Sequence, residues 1–303
     1  MTLVKSKYID LSAAPWTMHE FFAGSGLVGY GLKGMFAPIW ANDISEQKAA
    51  VYTANFGDKH FLLDDIKNIN GAEIPYANMS WASFPCQDLS LAGSLGGIHA
   101  SRSGLVWEWL RILDEMIEQP KILVLENVTG LLSTNNGENY SVLHHALTER
   151  NYKCGAIVIN ASHFVPQSRP RVFIIAVKKD CEIPNDLIGT GPCWLHNKAA
   201  TELGARLPDW IWWNADKPPH RHQTVKDIVE ESVSFDKDDV LKLVPERHKE
   251  KLDEHEINSA MWRYCFVLSP CSMVKKAILA RWFSFLIVFQ KMPRNLKKKL
   301  CRI

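Results

Sequence analysis

Four stretches of the chain carry side chains able to do covalent or acid–base chemistry. Cys86, in Ser83-Phe84-Pro85-Cys86-Gln87, follows an apolar run and so falls where a strand would end. As a thiolate it is a nucleophile, given an electropositive, partly exposed site that lowers its pKa. The alternative is an inert core thiol. Glu126 comes directly after Ile122, Leu123, Val124 and Leu125. An acid held at the end of such a run can have a raised pKa and act as a general acid, or can cap a helix or pair with a cation. Arg169 and Arg171 flank Pro170 ahead of another apolar run. The planar, permanently charged guanidinium suits phosphates and base edges, although loop arginines are often simply solvated.

The fourth stretch is Gly24-Ser25-Gly26-Leu27-Val28-Gly29, which fits G-x-G-x-x-G, with Asp43 lying 19 residues beyond Gly24. Glycines permit a tight strand-to-helix turn and close backbone approach, and an acid after the second strand can hold two ribose hydroxyls. The turn alone fits NAD, FAD or S-adenosylmethionine, or a turn that binds nothing. Asp65, in Asp64-Asp65-Ile66, follows a third apolar run and can accept a hydrogen bond from an adenine amino group.

These residues need a scaffold that gathers strand ends. Apolar runs of strand length cover 17–22, 37–41, 60–63, 79–84, 122–125, 156–159 and 172–177. Helical spacing covers 104–118 and 140–150, and another helix begins with Ser45 as its N-cap. Strands alternating with helices predict an α/β fold with a parallel sheet covered on both faces. Ligands in such folds sit at the carboxyl ends of the strands, which is where the four stretches fall. After about residue 180 the chain becomes rich in Pro, Gly, His and Trp.

Bulk composition narrows the class. The 303 residues are 47% hydrophobic and 22% charged, ordinary for a globular protein with a sizeable core. The seven scattered cysteines read as reduced intracellular thiols. The longest apolar stretch, 277–289, is 13 residues long, short of the ~20 needed to span a bilayer. A cytoplasmic protein with no membrane contact is expected. Cys193 and His196, with His220 and His222, are too few in cysteine pairs for a convincing zinc site, and no metal is expected. The formal charge of +2 hides an asymmetry: residues 1–260 sum to −8, whereas residues 261–303 hold ten Lys/Arg and no acid. Such a tail can be a nucleic-acid arm.

Taken together and in order, Phe22-Ala23-Gly24-Ser25-Gly26, Pro85-Cys86-Gln87, Glu126-Asn127-Val128 and Gln167-Ser168-Arg169-Pro170-Arg171 resemble the cytosine-C5 DNA methyltransferases. The spacings of 62 residues from Gly24 to Cys86, 40 to Glu126 and 43 to Arg169 are those of that family. Ser101-Arg102-Ser103-Gly104-Leu105 resembles its serine–arginine–glycine element. The resemblance covers residues 17–180. It implies a Rossmann-like, S-adenosylmethionine-dependent methyltransferase sheet with a partial, smaller target-recognition region. Residues 1–180 would form the catalytic domain, 181–260 part of the target-recognition region, and 261–303 an atypical basic tail.

By this resemblance Cys86, Glu126, Arg169 and Arg171 are catalytic. Phe22, Gly24, Gly26, Asp43, Ile44, Asp65, Ile66 and Pro85 line the S-adenosylmethionine site, with Ile44 standing where many relatives carry tryptophan. Gln87, Ser90 and Arg102 meet double-stranded DNA, from which the target cytosine is flipped. A monomer belonging to a restriction–modification system is expected. An RNA (tRNA) cytosine methyltransferase and a non-catalytic nucleic-acid-binding remnant are the alternatives. The family's two C-terminal motifs are not legible, and the acid-free tail is read as a change of reading frame near residue 260 in preference to a DNA arm. Impaired methylation is expected in consequence. Cys86→Ser is predicted to abolish methyl transfer while leaving cofactor binding measurable. Tritium transfer from labelled cofactor in that variant would sink the nucleophile assignment.

Overall fold

The computed structural model describes residues 14–85 and 104–220, together with Thr224 and Asp227. Seven strands form one sheet in the order β3-β2-β1-β4-β5-β7-β6. They are β1 (Trp16–Phe21), β2 (Phe36–Asp43), β3 (Phe61–Leu63), β4 (Met79–Ala82), β5 (Ile122–Asn127), β6 (Tyr152–Asn160) and β7 (Pro170–Lys178). The helices are α1 (Leu27–Gly31), α2 (Glu46–Phe56), α3 (Leu105–Glu115), α4 (Gly130–Ser133), α5 (Glu138–Glu149) and α6 (Lys198–Arg206).

The strands β3, β2, β1, β4 and β5 are parallel neighbours, as the alternation of strands and helices predicts. The expectation of a wholly parallel sheet fails at β7, which runs antiparallel to both β5 and β6. Only residues 161–169 join β6 to β7, with one 3-10 turn at Ala161–His163. A parallel crossover needs a dozen or more residues, so this link permits only a hairpin. The reversal decides where the arginines go. The start of β7 lies beside the end of β5, Asn127 pairing with Val172. In a parallel strand the same residues would begin at the opposite edge, about 20 Å away for six residues at ~3.3 Å each.

Side chains alternate between the two faces of the sheet. Met18, Met79, Trp81, Ile122, Val124 and Phe173 bury against Val28 of α1 and Leu32, which caps it, on one face. Phe21, Ala82, Leu123, Leu125 and Ile174 bury on the other against Trp109, Leu110 and Leu113 of α3 and Leu143 and Leu147 of α5. Two polar positions inside this core find partners: Trp109 Nε1 donates to Ser80 Oγ at 3.2 Å, and the Tyr152 hydroxyl donates to the Pro120 carbonyl at 2.6 Å. Ser45 caps α2 as predicted, accepting from Lys48 N at 3.4 Å.

Residues past 180, expected to open a separate region, pack on both faces of the same sheet. Ile183, Leu187, Leu195, Ile211 and Trp213 join the Trp81 face, and Ala200 and Leu203 of α6 join the Trp109 face. The chain at 209–211 also lies along β6, with Cys154 N donating to Asp209 O at 3.2 Å and Ile211 N to Cys154 O at 3.0 Å. Gly155 makes this approach possible, because a Cβ there would stand 2.0 Å from the Ile211 carbonyl oxygen. That atom belongs to the backbone and cannot rotate away. Gly155→Ala is therefore predicted to destabilise the protein by about 1–3 kcal/mol, the usual cost of overpacking, read as a lowered urea midpoint.

Candidate active site

The carboxyl ends of β1 and β2 are tied together by one side chain. Asp43, at the end of β2, accepts from Gly24 N at 2.9 Å through Oδ2 and from Ser45 N at 2.9 Å through Oδ1. Lys48 Nζ stands 3.5 Å from Oδ2. One carboxylate thus fixes the glycine turn and the start of α2 in mutual register. The turn needs left-handed backbone at Phe22 (φ 56), Gly24 (φ 58) and Gly26 (φ 79). Phe22 is the costly member, since a non-glycine side chain there is strained by the order of ~1 kcal/mol or more.

A cavity of about 480 Å³ opens over this turn, within the range of small-molecule and cofactor sites. Phe22, Gly24, Asp43, Ile44, Asp65, Ile66 and Pro85 line it. Ile44 is 66% exposed, presenting an apolar side chain where a flat ring could rest. Asp65 also caps the turn that follows it, its Oδ1 accepting from Lys67 N at 3.0 Å. Gly26 departs from expectation and is absent from the lining. It is buried, and a Cβ there would meet the Phe56 ring at 2.4 Å and the Tyr52 ring at 2.9 Å. Its hydrogen serves the packing of the turn against α2, and it is Gly24 that faces the cavity.

Glu20, which the sequence reading did not single out, also lines the cavity. It is fully buried on β1, and its Oε2 accepts from Gly29 N at 3.2 Å. Its Oε1 is buried with no hydrogen-bond partner. Burial raises its pKa to about 8, against the opposing pull of the Gly29 and Val28 amides. The third glycine of the turn thus donates to an acid that is neutral at pH 7. The legible signal was a carboxylate placed between apolar strand residues, two positions before the turn.

The other wall comes from residues that follow β4 and precede β7, with the end of β5 behind them. Glu126 is 7% exposed at the end of β5. Arg171 Nε donates to its Oε1 at 3.0 Å. Burial raises the Glu126 pKa, and Arg171, Arg169 and a hydrogen bond from Ser83 pull against that rise. Arg169 and Ser83 line the cavity, while Arg171 acts behind it through Glu126. Asn127 Nδ2 donates to the Phe84 carbonyl at 3.1 Å, anchoring the segment that leads to Pro85. Cys86, Gln87, Ser90 and Arg102 lie outside the described residues.

Among the described residues no group of three His, Cys, Asp or Glu side chains could hold a metal. Cys193 Sγ and His196 Nδ1 contact each other at 3.5 Å, and His222 lies outside the described residues. No described helix is long and apolar enough to cross a membrane.

Comparison with known proteins agrees with this geometry. The family model described as C-5 cytosine-specific DNA methylase matches residues 16–281, a span that runs past residue 260 into the basic tail. The chain is 32% identical over 204 residues to the type II methyltransferase M.Bsp6I of a Bacillus species, covering 65% of this chain and 64% of the relative. It is 33% identical over 168 residues to the type II methyltransferase M.HhaI of Haemophilus parahaemolyticus, covering 55% and 50%. The chain therefore spans between half and two thirds of the length of these relatives. A solved DNMT2 structure from Spodoptera frugiperda superposes with a TM-score of 0.52 at 20% identity, over 72% of this chain and 61% of that one, and shares the fold.

The state of Glu20 makes stability depend on pH. Its folded pKa, about 8, lies above the ordinary 4.5. Between those values the folded protein holds a proton that the unfolded chain has released, so stability falls as pH rises through this window and levels off above it. Glu20→Gln keeps an acceptor for Gly29 and cannot ionise. It is predicted to remove this part of the decline, seen as a flatter denaturant midpoint from pH 5 to pH 8; an unchanged slope would refute the assignment.

Proposed function

The chain belongs to the C-5 cytosine-specific DNA methylase family, and from that premise we propose that it transfers a methyl group from S-adenosylmethionine to C5 of a cytosine flipped out of duplex DNA. The observation that carries the reading is the shared cavity. The Asp43-clamped glycine turn and Asp65 form one wall, and Ser83, Pro85 and Arg169 form the other, with the Glu126–Arg171 pair behind them.

The residues present fit the cofactor. Asp43 retains lone pairs for ribose hydroxyls beyond those used by the two amides. Asp65 suits an adenine amino group, Ile44 an adenine face, and the unpartnered Oε1 of Glu20 a polar group of the methionine half. When bound, S-adenosylmethionine supplies an electrophilic methyl group on a sulfonium.

The chain supplies the rest. Cys86, as thiolate, adds to C6 of the base, and the electron pair of the C5–C6 bond shifts toward C5 and N3. Glu126, whose raised pKa keeps a proton available, meets N3 and the exocyclic amine and neutralises charge as it builds. Arg171 holds that carboxyl in place, and Arg169, at the cavity wall, faces the base oxygen. Once C5 has taken the methyl group, loss of its proton expels Cys86 and restores the aromatic ring. Extrusion of the base is required because C6 cannot be reached within the stack.

Residues 1–180 carry the chemistry in this reading. Target choice falls to loops within 181–260, and the chain acts as a cytoplasmic monomer of a restriction–modification system. Bisulfite sequencing of DNA from cells expressing the chain tests it. Protected cytosines at one short recurring sequence are expected, and they should vanish with Cys86→Ser. Methyl label in tRNA with none in DNA would overturn the DNA reading.

A further inference from the structure

The geometry points to Ser83 as a positioning residue for Glu126, itself held by the indole of Trp81. This inference rests on the catalytic reading of Glu126 for its consequence, though not for its structural content.

Three strands place the groups. Trp81 and Ser83 are two residues apart at the end of β4 and share a face. In the parallel register Trp81 pairs with Val124 and Ala82 with Leu125, so Ser83 and Glu126 come next, side by side on neighbouring strands. Phe173 pairs with Glu126 across the antiparallel junction, and Arg171 stands two residues before it on the same face. The Trp81 ring packs on Phe173 with centroids 6.1 Å apart. The indole is buried at 1% exposure, which leaves it little room to turn.

Hydrogen-bond chemistry then sets a direction. Trp81 Nε1 lies 2.9 Å from Ser83 Oγ. An indole nitrogen can only donate, and a serine hydroxyl has one proton to give. Ser83 therefore accepts from Trp81 and keeps its one proton to give, and the register sets that hydroxyl beside Glu126, with which it hydrogen-bonds. When Glu126 is ionised the hydroxyl must donate, since a carboxylate can only accept. Ser83, just past β4, and Arg171 of β7 hold the Glu126 carboxyl from two sides, and Ser83 also lines the cavity. The chain Trp81 to Ser83 to Glu126 orients the acid and favours its ionised form.

A carboxyl-13C-glutamate titration by NMR tests this in the full chain, with the Glu126 resonance assigned by its loss in Glu126→Gln. Donation to a carboxylate favours the ionised form, so Ser83→Ala should move the Glu126 titration to higher pH. Ser83→Thr, which keeps the hydroxyl, should return it toward the wild-type position. A merely structural role would leave the titration unmoved in every variant that folds, and that result would overturn the proposal. Should Ser83→Ala fail to fold, Ser83→Cys, of similar size and a poorer donor, carries the test, with an upward shift expected and a wild-type curve counting against it. The readout needs no turnover. Absence of methyl transfer with the shift present would sink the proposed function and leave the relay standing, whereas an unmoved titration would sink the relay whatever the activity.

Discussion

A carboxyl group taken out of water must be hydrogen-bonded, paired or protonated, and this constraint shapes the reactive edge of the sheet. Three acids are buried there, Glu20 on β1, Asp43 on β2 and Glu126 on β5. Asp43 is satisfied by two backbone amides from different turns. Glu20 has an amide and no cation, and burial keeps it protonated near neutrality. Glu126 has Arg171 and Ser83. Each solution also does something for the cavity. The first joins its floor into one piece, the second leaves a polar atom at its base, and the third aims an acid at its wall.

The reversed strand makes the third solution possible. Arg169 precedes β7 and Arg171 is its second residue, so only an antiparallel β7 delivers them to the carboxyl edge where Glu126 lies near the end of β5. The residues that face each other across the β5–β7 junction are also those that bury Trp81 against Phe173. The position of the arginines, the orientation of the acid and the packing of one sheet face are therefore set by the same few register pairs. A slip of one residue along β7 would turn Arg171 to the opposite face.

Much of this was legible in the sequence, and the omissions have physical causes. Apolar runs located all seven strands, because strand interiors buried on both sides leave no alternation to confuse them. Ser45 showed its capping role through position and type, and the four reactive stretches fell at strand ends as the alternation required. The direction of β7 was readable only by noticing that residues 161–169 are too few for a crossover, against the prior of a parallel sheet. Gly26 fits a ligand-binding pattern, yet only the rings of Phe56 and Tyr52 reveal that its hydrogen faces a helix. Glu20 gave a weak signal, since one acid in a strand usually points to water. The packing of residues 183–213 on the sheet was hidden by their turn-rich composition. The link from Trp81 through Ser83 to Glu126 spans residues 45 positions apart and exists only in the strand register.

Electrostatics at this edge is better described by neighbours than by totals. The sum of −8 over residues 1–260 would repel a nucleic acid if it were spread evenly, yet it describes no location that a base would enter. At the cavity, Glu20 is neutral near pH 7 through burial, Asp43 is engaged by amides and Lys48, and Glu126 sits against Arg171 with Arg169 nearby. These three acids are each compensated, by a proton, by dipoles and by guanidinium groups. The two raised acids then diverge in use. Glu20, with no cation beside it, stays protonated and keeps the cavity floor uncharged. Glu126 is raised by burial and pulled back by Arg171, Arg169 and Ser83, so cations share in setting its charge.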